Sequence, residues 1–117
     1  MRLNDEARKR LWDITAAGRA ILSWTAKTAS DEYARSQLLR AAVERELIII
    51  GEALKAAVFV ESSLGAKITN SLKIVGFRNV PVHNYWRINN DEVWAIVHTD
   101  LPLLLSECRS IPGELPA

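Results

Sequence analysis

Apolar residues recur along the chain at steps of three and four, without sustained alternation, and this predicts helices rather than strands. Over residues 4–28, Leu11, Ile14, Ala17, Ile21 and Trp24 fall on one stripe, with Asn4 or Asp5 placed to cap the helix start. Arg8, Arg10 and Arg19 lie mostly off that stripe, on a solvated face. Thr28-Ala29-Ser30-Asp31 reads as a stop followed by a new cap at Ser30 or Asp31. A second, longer helix is expected over 31–60. Leu39, Val43, Leu47, Ile50, Leu54 and Val58 form one stripe. Leu38, Ala42, Ile49, Ala53, Ala56 and Val60 form a second beside it. So wide an apolar arc belongs to a helix that is central in the core or buried on two sides, and the second side can be another subunit. Arg45, Ile48, Glu52 and Lys55 occupy a further face, and Gly51 is a candidate for close helix approach.

Residues 61–67 read as a loop. A third helix over 69–80 draws its apolar content from Leu72, Ile74, Val75 and Phe77. Pro81 has no N–H, so this helix kinks or ends there. A last helix over 90–110, capped by Asn89, Asn90 or Asp91, carries Val93, Val97, Leu101, Leu104 and Cys108 on one stripe. Pro102 should bend it locally, because it cannot bond the His98 carbonyl. The expected fold is all-α: one domain over 1–117, an up-down antiparallel four-helix bundle. Its core would draw on Leu11, Ile21, Leu47, Leu54, Ile74, Val97 and Leu104.

Composition narrows the function classes. The 117 residues are 49% apolar and 25% charged, ordinary for a globular chain long enough to bury a core. The single cysteine, Cys108, excludes an intrachain disulfide, and a reducing, cytoplasmic setting is expected. The start, Met1 to Glu6, lacks an apolar leader core, and no apolar run approaches the ~20 residues of a membrane span. A net charge of +1 is not the field of a tight, sequence-blind nucleic-acid binder, although a local basic patch would serve an RNA substrate. His83 and His98 belong to no metal-ligand cluster, and there is no glycine-rich phosphate loop or serine nucleophile motif, so no metal or cofactor is expected. Cys108 suits a core position, as do Trp24 and Trp94. His98 suits the surface or an interface, and Trp86 suits packing better than base stacking.

The densest chemistry lies in Arg78-Asn79-Val80-Pro81-Val82-His83-Asn84-Tyr85. An imidazole moves protons near neutral pH, and a guanidinium stabilises charge on a phosphate. Together they suit chemistry on a phosphate ester. The same residues also suit a helix end capped by Asn and Arg. In an unbroken helix Arg78 and His83 would point about 140° apart, so a break at Pro81 favours a shared site. Glu52 has two candidate partners, Lys55 on its own helix and Arg78, whose guanidinium it would fix.

Arg78, His83 and Tyr85, with four residues and then one between them, resemble the signature of the HepT-like toxins of the HEPN superfamily. Arg40 to Arg45 and Ile49 to Ala53 resemble that family's second helix. Asp91 to Val97 and Asp100-Leu101-Pro102 resemble its last helix. The resemblance covers roughly residues 36–105 and implies a HEPN-like bundle, a homodimer and a metal-independent endoribonuclease. His83 would transfer protons and Arg78 would stabilise the phosphorane, with Asn79, Asn84 and Glu52 supporting them. Tyr85 would be the site where a cognate minimal nucleotidyltransferase antitoxin attaches AMP. The substrate would be RNA, either tRNA or mRNA. The rival is a non-catalytic HEPN module that docks a nucleotidyltransferase and positions its nucleotide or substrate. A plain helical interaction protein is the third reading.

Overall fold

A computed structural model describes residues 3–68 and 89–111. The described residues form helices, with no strand among them. The helix α1 spans Asp5–Thr25, α2 spans Ser30–Arg35 and α3 spans Gln37–Val60. A 3-10 turn, Ser62–Ala66, follows. The last helix consists of α4 (Asn90–Ala95), a π-helical segment (Ile96–Asp100) and α5 (Leu101–Ser110). The expected third helix over 69–80 and the break at Pro81 lie outside the described residues, as does Ile74.

Two contacts set the direction of the helices. The backbone N–H of Asn4 donates to Glu61 Oε1 at 3.1 Å, so the start of α1 meets the end of α3 and the two run antiparallel. At the other end, the Tyr33 ring on α2 packs on Trp94 of α4, with centroids 5.3 Å apart. From there the last helix runs back along α1, so that Leu105 reaches Gly18. Among the described residues, α3 and the last helix both run antiparallel to α1, in agreement with the expected up-down bundle.

The core draws on the predicted main stripe of each described helix, whereas of the second stripe expected on the 31–60 helix only Ala53 is buried and Leu38 and Val60 are exposed. Leu11, Ile21, Leu47, Leu54, Val97 and Leu104 are all at most 1% exposed. Cys108 is buried with them. The first stripe departs from expectation at its end. Trp24 is 43% exposed, and Thr25 takes the inward position instead. Burying a hydroxyl is costly unless it is hydrogen-bonded. Thr25 Oγ1 donates to the Ile21 carbonyl at 2.9 Å, and Thr15 does the same to Leu11 at 3.0 Å.

The expected continuous helix over 31–60 is two helices. Ser36 adopts an extended backbone (φ −96°, ψ 99°) and its Oγ accepts the Leu39 N–H at 3.1 Å. A serine that caps the backbone in this way competes with helix continuation. The start of α2 also differs from the Ser30 or Asp31 cap. Glu32 Oε1 accepts the Ala29 N–H at 3.0 Å, and Asp31 Oδ1 accepts the Glu32 N–H at 3.0 Å. Asn4 and Asn89 cap as expected, Asn4 Oδ1 taking the Glu6 N–H and Asn89 Oδ1 those of Asp91 and Glu92.

Pro102 acts on the turn before it. The Leu101 N–H donates to the Ile96 carbonyl, five residues back, and the turn widens to a π-helix. This wider turn relieves the crowding between the proline ring and the preceding carbonyls while the helix continues. No helix among the described residues is long and apolar enough to cross a membrane.

Candidate functional site

The stretch carrying Arg78, Asn79, His83, Asn84 and Tyr85 lies outside the described residues. The structure does place the two anchors on either side of it. Ile68 is 5% exposed and packs in the core just after the 3-10 turn that follows α3. Asn89 caps α4. These anchors sit at opposite ends of the α1–α3 pair, since Ile68 follows the end of α3 and α4 begins beside Tyr33.

Glu52 is exposed on α3, on the face predicted from its spacing with Arg45, Ile48 and Lys55. It lines an open groove of ≈ 440 Å³ between α1 and α3. Lys55, Ala56, Phe59 and Val60 form the α3 wall, and Glu6 and Arg10 form the α1 wall. The two α1 residues pair with each other, Arg10 Nε to Glu6 Oε1 at 3.0 Å. The expected partner Arg78 lies outside the described residues, so its pairing with Glu52 stays an expectation.

His98 is exposed, as predicted, on the π-helical segment. Its Nδ1 lies 2.9 Å from the Trp94 carbonyl, and its ring stands on the Trp94 ring with centroids 4.1 Å apart. A carbonyl only accepts, so Nδ1 holds the proton in the neutral ring and Nε2 keeps its lone pair. Trp94 bridges His98 and buried Tyr33, and it is only partly buried rather than a full core residue. The signal in the sequence was the four-residue step from Trp94 to His98 on one helix.

A second polar cluster sits where α2 meets α3. Tyr33 is fully buried, and its hydroxyl has no hydrogen-bond partner among the described residues. Burial, and then the Glu44 carboxylate, push its phenol well above the usual range. Burial also pushes the Glu44 carboxyl up, against the opposing pull of Arg40. Arg40 is held in place by a hydrogen bond from its guanidinium to the Ala34 carbonyl. Burial pushes the Cys108 thiol up to about 11, which suits a packing residue and not a nucleophile. Among the described residues no three His, Cys, Asp or Glu side chains gather into a metal site.

Comparison with known proteins places these elements. The family model "Ribonuclease HepT-like" matches residues 65–111, a span that contains the motif from Arg78 to Tyr85. A Methanocaldococcus jannaschii protein named "Putative RNase MJ1380" is 30% identical over 103 residues, covering 86% of this chain and 92% of its own. A second protein from that organism, "Putative RNase MJ0127", is 27% identical over 116 residues, covering 94% of this chain and 90% of its own. No solved structure gives a significant match. The helical order, the motif and a relative aligned over nearly its whole length agree: the chain belongs to the HepT-like ribonuclease family.

Proposed function

We propose that this protein is the toxin of a toxin–antitoxin pair, a metal-independent endoribonuclease that acts as a homodimer on tRNA or mRNA. The observation that carries this reading is the Arg78–His83–Tyr85 motif, lying inside the span matched by the ribonuclease family.

The chemistry follows from the residue types. The 2′-hydroxyl of the RNA attacks its own neighbouring phosphorus, so the substrate supplies the nucleophile. A base must take the hydroxyl proton, an acid must protonate the departing 5′ oxygen, and positive charge must stabilise the phosphorane. His83 transfers protons and Arg78 supplies the charge. Each chain contributes one motif histidine, and a two-fold dimer brings a second imidazole to a composite site. Asn79 and Asn84 hold the imidazole or the phosphate.

Tyr85 is the control point. A cognate minimal nucleotidyltransferase antitoxin attaches AMP to its hydroxyl, and the added charge and bulk beside Arg78 exclude RNA.

Product ends test the mechanism. Cleavage in a chelator should leave a 2′,3′-cyclic phosphate and a 5′-hydroxyl. Products ending in 5′-phosphate and 3′-hydroxyl would overturn it.

A further inference from the structure

The outward face of α3 is not an ordinary solvated face. Leu38, Ala41, Arg45, Ile48, Glu52, Lys55 and Phe59 follow one another at alternating steps of three and four residues. That is the spacing of a helix–helix seam. These residues lie opposite the buried stripe of Val43, Leu47, Ile50 and Leu54. Leu38 is 83% exposed and Phe59 is 88% exposed, among the largest apolar side chains left open by the described residues. The seam is therefore apolar at both ends and at its middle, with Arg45 on one side of the middle and Glu52 followed by Lys55 on the other.

We infer that this face is covered by α3 of a second copy of the chain, packed antiparallel about a two-fold axis midway between Ile48 and Ile49. The inference rests on the proposed homodimer and gives it a register.

The charges select that register. With the axis at this midpoint, Arg45 stands opposite Glu52 of the second copy, and the symmetry makes the pair twice. Leu38 stands opposite Phe59, Ala41 opposite Ala56, and the isoleucines meet at the centre. A shift of one heptad in either direction sets Arg45 on Arg45 or Glu52 on Glu52. A parallel arrangement does both. Like charges across a seam oppose pairing. The groove between α1 and α3 fits the same arrangement. Its α3 wall is the half of the seam that would receive Leu38 and Ala41 of the second copy, beside Glu52. Glu52 then has a partner other than Arg78.

The test combines charge reversal with cross-linking, read by analytical ultracentrifugation, with helicity followed by circular dichroism. Wild type should be a dimer. Arg45→Glu alone, or Glu52→Arg alone, sets two like-charge contacts in the seam and should weaken dimerisation by about tenfold or more. The double variant Arg45→Glu/Glu52→Arg should recover it. In a Leu38→Cys/Phe59→Cys chain the two thiols lie about 31 Å apart on one straight helix and cannot join within a chain. Mild oxidation should therefore give a covalent dimer.

A dimer indifferent to both single reversals, or one that fails to cross-link, overturns the seam while the homodimer stands. A wild type that stays monomeric overturns both. Single reversals that lower the melting temperature without changing assembly would instead assign the face to residues 69–88 of the same chain, and the seam would fall.

Discussion

A Cβ added to Gly18 would stand 2.7 Å from Cδ2 of Leu105, so α1 and α5 pack here against a bare backbone. Two effects oppose each other at this position. Alanine in place of a helical glycine gains about 1 kcal/mol in propensity, while overpacking a core costs about 1–3 kcal/mol. Leu105 is 4% exposed and has little room to retreat. The Gly18→Ala variant should therefore lose about 1 kcal/mol in urea unfolding, the overpacking cost exceeding the propensity gain. In a Leu105→Ala background the clash is gone, and the same substitution should stabilise. An unchanged sign between the two backgrounds would show that Leu105 is not the constraint.

Glu44 makes stability depend on pH in a defined direction. Burial raises its carboxyl above the ordinary 4.5, and Arg40 offsets only part of this. The folded chain then holds the proton more tightly than the unfolded chain. The contribution to stability is fully present below the unfolded value and is lost as pH rises through the folded one. Glu44→Gln keeps the neutral form at every pH. The variant should melt above wild type at pH 7, and the difference should vanish below about pH 4. A variant that melts lower at pH 7 would mean that the charge attraction of Arg40 outweighs burial.

Cys108 should be chemically silent in the folded protein. It is 1% exposed, and its thiol is pushed up to about 11, so little thiolate forms near neutral pH. Alkylation at pH 8 should run about a hundredfold slower in the native chain than in denaturant, as followed by mass spectrometry. Comparable rates would place the thiol in contact with solvent.

These relationships differ in how far they could be read from the sequence. Leu11, Leu47, Leu54 and Val97 were legible because a helix that buries one face must repeat its apolar residues at helical spacing. Trp24 and Thr25 were not. Their exchange of places depends on a hydrogen bond from a hydroxyl to its own helix, which hydropathy does not register. Ser36 sits inside an otherwise periodic run, and only its cap to Leu39 reveals the break between α2 and α3. Gly51, singled out for a close approach, is buried on α3, and the structure describes a close approach at Gly18, which depends on which helices meet and so was not legible. The chemistry of the motif was legible as residue types and as a family signature. The family match bears out the ribonuclease assignment, while the geometry of Arg78, His83 and Tyr85 lies outside the described residues. Spacing put Glu52 on a face of its own with Arg45, Ile48 and Lys55, and the structure shows Glu52 exposed there.

The His98 ring, propped on Trp94 with Nε2 free, is the one imidazole the described residues present to solvent. It is not assigned to the reaction. His98→Ala should leave RNA cleavage within about twofold of wild type, whereas a general acid–base group contributes about a hundredfold or more. A loss on that larger scale would bring His98 into the catalytic set.

The proposed ribonuclease activity rests on Arg78 and His83. The direct measurement is cleavage of total RNA and isolated tRNA by purified protein in EDTA, beside Arg78→Ala and His83→Ala. Mass spectrometry would first confirm that Tyr85 carries no AMP. Wild type should cleave in the chelator, and cleavage should fall by about a hundredfold or more in each variant. No cleavage by the unmodified wild type, or equal cleavage by all three, would contradict this and favour a module that docks a nucleotidyltransferase without cutting RNA.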